Sequence, residues 1–126
     1  MGSNNVAPLT LANAFATFAA KGVECTPIAL TSITGSQGQT YPVPSANCHQ
    51  AINPDVAAGV TYALKDVLTK GSGYNIPVVK DNYNVFAKTG TTNGNMNTWI
   101  VGGTSGIVTD SWFGTYHGTA AINGRN

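Results

Sequence analysis

The sequence predicts an α+β fold, with helices packed on an antiparallel sheet. Two stretches repeat apolar residues at helical spacing behind proline starts, and three β-rich stretches follow from Val85 onward. The turns between those β-rich stretches are short and rich in Gly, Asn and Ser, which implies antiparallel neighbours. At 126 residues the chain is the size of one domain, long enough for a single core that buries roughly two-thirds of the unfolded surface.

The first helix is expected over residues 8 to 21. Pro8 suits a first turn, Leu11, Phe15 and Phe18 fall on one face, the alanines allow close approach, and Gly22 stops the segment. The run Ile28-Ala29-Leu30-Thr31-Ser32-Ile33 reads as a strand entering a hairpin turn at Gly35-Ser36-Gln37-Gly38. Tyr41-Pro42-Val43-Pro44 is an edge or an extended connection, because alternate prolines remove ladder donors. Asn53-Pro54-Asp55 is a helix start, with Asn as cap, Pro in the first turn and Asp near the positive end of the dipole. The second helix runs from Pro54 to Lys70, with Val56, Val60, Ala63, Leu64, Val67 and Leu68 as its buried stripe and Gly71-Ser72-Gly73 as its end. A polar loop spans residues 75 to 84. Strands are expected over 85–92, 98–103 and 107–116, and the tail 118–126 has little to bury and should fray.

Six basic and five acidic residues leave a formal charge of +1, which supports neither a nucleic-acid footprint nor a polybasic membrane patch. Partners are therefore sought through shape and hydrogen bonding. No apolar run approaches the roughly 20 residues that span a bilayer, and no signal-peptide succession opens the chain. Any export signal is expected outside it. Abundant Gly, Thr and Asn beside few Lys and Glu lean toward an extracytoplasmic protein. Cys25 and Cys48 are too few for a zinc site. They either form a disulfide closing a loop of about 22 residues, worth ~3 kcal/mol by loop-closure entropy, or remain two buried thiols.

The chemistry-bearing stretch is Lys88-Thr89-Gly90-Thr91-Thr92-Asn93, entered through Val85-Phe86-Ala87. Strand alternation puts Thr89 and Thr91 on one face and Lys88 and Gly90 on the other. Two hydroxyls two residues apart suit a carboxylate. Gly90 leaves the backbone open to an extended peptide, and Lys88 can supply positive charge to a carboxylate and lower the proton affinity of a neighbouring hydroxyl or amine.

Lys88-Thr89-Gly90 resembles the third signature motif of the penicillin-recognising serine acyl-transferases. The first motif of that set, serine followed three residues later by lysine, is matched by none of Ser3, Ser32, Ser36, Ser45, Ser72, Ser105 and Ser111. The wider order of segments is similar to the transpeptidase domain of class A penicillin-binding proteins. Gly2 to Leu9 leads into the helix Leu11 to Ala19, a proline and an Ile-rich strand follow, and the helix from Pro54 to Lys70 ends in Gly71-Ser72-Gly73, which resembles the family's Gly-Thr-Gly. Segments similar to Trp99-Ile100-Val101-Gly102 and Trp112-Phe113-Gly114 follow the Lys-Thr-Gly strand, so the likeness covers roughly residues 2 to 118. Ala7 departs from the usual Ser or Thr, and Asn97 from an Asp that often precedes the tryptophan. Ser3-Asn4-Asn5 and Ser45-Ala46-Asn47 match the second motif, Ser-x-Asn, only literally, because that motif lies well upstream in the family.

The resemblance implies the C-terminal part of a penicillin-binding transpeptidase or serine β-lactamase-like fold. The implied activity is D,D-transpeptidation, cross-linking peptidoglycan stem peptides through a serine acyl-enzyme that β-lactams also acylate. Lys88 would position the carboxylate and tune the proton network, Thr89 and Thr91 would hold the carboxylate, and the Thr91 N–H would be one oxyanion donor. The nucleophilic serine would come from a complementary segment carrying Ser-x-x-Lys, and the chain alone would be inactive. No cofactor or metal is implied, and the setting would be the cell envelope, with a membrane-anchored parent. A serine β-lactamase and a non-catalytic cell-wall or interaction module of the same fold are the alternatives. His117, near Asp110, and the Cys48-His49 pair are weaker catalytic candidates, and Trp99, Trp112, Phe113 and Tyr116 are expected in the core or on sheet faces.

Overall fold

A computed structural model describes residues 4–77, 83–118 and 120–122. In order along the chain it contains α1 (Pro8–Ala19), β1 (Val23–Glu24), β2 (Ile33–Thr34), β3 (Thr40–Tyr41), β4 (His49–Gln50), α2 (Pro54–Thr69), β5 (Phe86–Thr91), β6 (Asn97–Gly103) and β7 (Val108–Gly114). A single 3-10 turn at Asn93–Asn95 joins β5 to β6. The α+β architecture and the antiparallel sheet agree with the sequence, and so do both helices and all three long strands to within a few residues.

Strands β5, β6 and β7 form one antiparallel sheet in that order. Their register places Phe86 opposite Gly103, Lys88 opposite Val101 and Gly90 opposite Trp99. Paired residues share a face, so Phe86, Lys88 and Gly90 lie with Val101 on one side, and Ala87, Thr89 and Thr91 lie with Ile100 and Thr98 on the other. Phe86 and Val101 are fully buried. Helix α1 packs on β6 and β7, α2 packs on β5, and the two helices touch each other. Gly102 and Gly103 permit this closeness within the sheet: a Cβ on Gly102 would stand 2.7 Å from the Phe86 carbonyl oxygen.

The buried faces of the helices are rotated from the expected ones. In α1 the one fully buried residue is Thr17, whose hydroxyl donates to the Asn13 carbonyl at 3.1 Å, while Leu11, Phe15 and Phe18 are half-buried. In α2 the deepest residues are Ala57 and Leu68, whereas Val56 is 56% exposed and Ala63 is exposed. The contact line of α2 therefore runs through Ala57, Thr61, Leu64 and Leu68, at the same helical spacing but on a neighbouring stripe. Thr61 anchors it, donating to Ala57 O at 2.9 Å and reaching Phe18 O at 3.5 Å. Ala57, one turn before Thr61 on the same stripe, is fully buried. Both helix starts follow their cap chemistry. Asn53 Oδ1 accepts the Asp55 N–H at 2.8 Å, and Ala7 makes no side-chain cap bond.

The segment between the helices leaves and returns at one point. Lys21 and Gly22 both have positive φ, and the Gly22 carbonyl accepts the N–H groups of Ala51 and Ile52 at 2.9 and 3.1 Å. Gln50 Nε2 adds bonds to the Lys21 and Ile52 carbonyls at 2.9 and 2.6 Å. Strands β1 and β4 pair here, and Cys25 and Cys48 form a disulfide just beyond them. Between the cysteines, the expected strand at 28–33 is reduced to β2, paired with β3. The register sets Ile33 against Tyr41 and the pairing ends there, with Pro42 and Pro44 following on the β3 side. The hairpin turn itself forms where expected, with Gly35 N–H bonded to Gln39 O and Gly38 N–H to Gly35 O.

The tail divides in two. Residues 119 and 123–126 lie outside the described residues, while Ile122 N–H donates to Asn95 O at 2.6 Å and Thr115 Oγ1 donates to Ala120 O at 3.1 Å. Ile122 is thus tied to the turn before β6, and Ala120 to the residue that follows β7.

Candidate active site

Strand β5 is an edge strand, with β6 on one side only among the described residues. Just past β5, Thr92 N–H donates to Asn97 O at 2.9 Å, in register with the ladder. In an antiparallel pair every second residue turns its backbone groups toward the neighbour. The even-numbered residues of β5 therefore face β6, and the backbone groups of Ala87, Thr89 and Thr91 face outward. The Lys88 side chain agrees with this phase, since its Nζ donates to the outward carbonyl of Thr89 at 2.5 Å. Among the described residues no carboxylate lies within ion-pair distance of Lys88. Its charge is open to an incoming anion.

Two hydroxyl pairs flank this edge. Thr91 Oγ1 lies 3.4 Å from Thr98 Oγ1, its cross-strand partner. Thr89 Oγ1 is in hydrogen-bond contact with Ser72 Oγ, from the turn after α2. That turn is held by Gly71 N–H to Asp66 O and Gly73 N–H to Val67 O, both at 2.9 Å. Gly71 and Gly73 are needed there, because a Cβ on Gly71 would stand 2.8 Å from the Val67 Cα and one on Gly73 3.1 Å from the Val67 carbonyl oxygen. Thr89 and Thr91 thus turn their backbone groups outward with their hydroxyls on one sheet face, Lys88 and Gly90 occupy the other face, and Ser72, expected as part of a helix end resembling the family's Gly-Thr-Gly, joins the hydroxyl side. A hydroxyl bracketed by glycines, one turn past a helix, was the available signal.

The family model for the penicillin-binding protein transpeptidase domain matches residues 1–117. The chain belongs to this transpeptidase family. Its relatives include penicillin-binding protein 1B of Escherichia coli strain K12, 29% identical over 114 residues and covering 90% of this chain. Penicillin-binding protein 1A of Mycolicibacterium smegmatis is 32% identical over 121 residues, again covering 90% of the chain. These relatives place it with the class A penicillin-binding proteins. The chain spans only 14% and 15% of those two proteins. Among solved structures, the penicillin-binding protein PonA1 from Mycobacterium tuberculosis superposes with a TM-score of 0.74 at 28% identity, covering 90% of this chain and 31% of that one. The D,D-transpeptidase domain of a peptidoglycan glycosyltransferase from Eggerthella lenta gives 0.68 at 26% identity, over 82% of this chain and 26% of that one.

The other candidates in this penicillin-binding transpeptidase chain are not assembled into sites. His117 packs edge-on against Tyr116, with ring centroids 4.3 Å apart, and makes no ion pair with Asp110. His49 approaches Glu24 across the β1–β4 pair at 3.9 Å, and Cys48 beside it is consumed in the disulfide. Ser45 serves its own loop, its hydroxyl accepting the Asn47 N–H at 3.2 Å. Ser3 lies outside the described residues. Trp99 and Trp112 stack at a tilt across β6 and β7, and Trp112 Nε1 donates to Asn97 Oδ1 at 3.2 Å. Phe113 and Tyr116, in contrast, are 63% and 84% exposed, so the aromatic strand is not wholly core. Asp110 shares a sheet face with Lys88, with Val101 between them, and its Oδ2 is buried with no hydrogen-bond partner among the described residues.

Proposed function

We propose that this chain supplies the substrate-binding strand of a serine D,D-transpeptidase that cross-links peptidoglycan stem peptides and is acylated by β-lactams. The observation that carries the reading is the open edge of β5, where Thr89 and Thr91 present two hydroxyls on one face, the Thr91 N–H points outward, and Lys88 reaches the edge from the other face through the Thr89 carbonyl. A stem peptide, extended and ending in a carboxylate, matches that edge: its backbone can add to the strand, and its carboxylate meets two hydroxyls near an ammonium that has no carboxylate partner among the described residues.

The nucleophilic serine comes from a complementary segment carrying Ser-x-x-Lys, since no serine here has that spacing. Its oxygen attacks the carbonyl of the terminal peptide bond, and the oxyanion is held by the Thr91 N–H together with the serine's own N–H. Collapse expels the terminal amino acid as an amine that takes up a proton, leaving the acyl-serine. An amine from a second stem peptide then attacks the ester and releases the serine. Lys88 holds the departing residue's carboxylate and keeps the surrounding protons poised. The setting is extracytoplasmic, in the cell envelope and with a membrane-anchored parent, and the Cys25–Cys48 disulfide supports an oxidising compartment.

The test is intact-mass analysis after incubation with a labelled penicillin, for this chain alone and for the chain joined to its complementary segment. A stable adduct on the joined form and none on the folded chain alone is the expected result. An adduct on the chain alone would move the nucleophile onto it, rapid turnover of the joined form would make it a β-lactamase, and a folded joined form without reaction would leave a non-catalytic module.

A further inference from the structure

We infer that Ser72 is a positioning residue for carboxylate recognition, acting through Thr89; the inference rests on the transpeptidase reading above. A threonine hydroxyl has one proton to donate and two lone pairs to accept with. A substrate carboxylate is acceptor only, so Thr89 must give it that single proton. The contact between Ser72 and Thr89 can then run in one direction only: Ser72 Oγ–H donates and Thr89 Oγ1 accepts. With its lone pair engaged from behind, the Thr89 hydroxyl has its proton aimed outward before any ligand arrives. A chain of hydroxyls ending on an anion also strengthens along its length, because each donor polarises the next.

The surrounding structure makes this arrangement rigid. Ser72 is held in a turn whose neighbouring N–H groups are engaged, Gly71 to Asp66 O, Gly73 to Val67 O, Tyr74 to Gly71 O and Ile76 to Gly73 O. Gly73 is buried against Leu68, the deepest large residue of α2. The hydroxyl is therefore presented to the sheet edge from the body of the fold, 17 residues away in sequence. Thr91 has a different neighbour, Thr98 on β6, so the two carboxylate-facing hydroxyls are oriented from opposite sides.

The experiment uses the transpeptidase domain complete with its Ser-x-x-Lys segment. Acylation rates are measured with a penicillin and with the methyl ester of the same penicillin, for the wild type, Ser72→Ala, Ser72→Thr and Thr89→Ala/Ser72→Ala beside Thr89→Ala. Ser72→Ala should slow acylation by the acid about fivefold to tenfold, the weight of one hydrogen bond in a chain to a charged group, with the ester rate nearly unchanged. Ser72→Thr should restore the acid rate, and Ser72→Ala should have no further effect once Thr89 is alanine. Equal losses on acid and ester, or no loss at all, overturn the role of Ser72 while leaving the enzyme's activity established. A wild-type domain acylated by neither compound overturns the transpeptidase reading and this inference with it.

Discussion

Replacing Cys25 and Cys48 together by serine should destabilise the fold through the unfolded chain more than through the native one. The bridge joins residues separated by 23 positions. Closing a loop of that length removes about 11 cal/mol/K from the unfolded ensemble, or about 3.4 kcal/mol at 25 °C. The native neck of the loop is held independently by the β1–β4 pair, by Thr26 N–H on Ala46 O at 2.7 Å and by the Gln50 side chain. The folded structure should therefore survive the substitution with its far-ultraviolet circular dichroism intact. For a chain of this size the loss corresponds to a fall in Tm of roughly 10–15 °C. Thermal unfolding is followed for the oxidised protein, the same protein in a phosphine reductant, and the double variant. The last two should coincide, well below the first. A shift of under about 3 °C would refute the loop-closure reasoning, because a bridge acting on the unfolded state cannot be that weak at this length.

Substituting Asp110→Val should raise stability by about 1 kcal/mol, since it removes a buried acceptor with no partner among the described residues and puts a β-branched residue in a strand; a lower midpoint in urea unfolding would show that the carboxylate is satisfied in solution. The two helix starts give an opposed pair. Asn53→Ala should cost about 1 kcal/mol by removing the bond to the Asp55 N–H, and Ala7→Ser should add up to about 1 kcal/mol, because Ala7 already has the extended backbone of a cap. Melting curves that fail to move in opposite directions would refute the cap assignment.

What could be read from the sequence was what local chemistry dictates. The start of α2 at Asn53-Pro54-Asp55, the strands on either side of the Asn93 turn and the alternation of Lys88 against Thr89 each follow from a few adjacent residues, and each is found in the fold. What could not be read depended on distant partners. Whether α2 buries Val56 or Ala57 is decided by the elements packed against it, and both choices satisfy a helical period. The strand at 28–33 has a strand's composition yet finds a pairing partner only at Ile33, opposite Tyr41. The cysteine pair admitted two readings because spacing alone does not bring two sulfurs together. At the site, the strip Lys88 to Thr91 was legible as a motif, while the contact of Ser72 with Thr89 required the turn after α2 to fold back onto the sheet.

The crossing point at Gly22 makes the segment it encloses a cassette. A Cβ on Gly22 would stand 2.1 Å from the Ile52 carbonyl oxygen, and its φ of 87° is one that other residues resist, so this position is fixed by both space and backbone. Because Lys21, Gly22, Gln50 and Ile52 close the circuit among themselves, the two ends of the segment are held together whatever lies between Cys25 and Cys48. A recognition loop, a tag or a foreign hairpin grafted between Cys25 and Cys48 would enter the fold through that one neck.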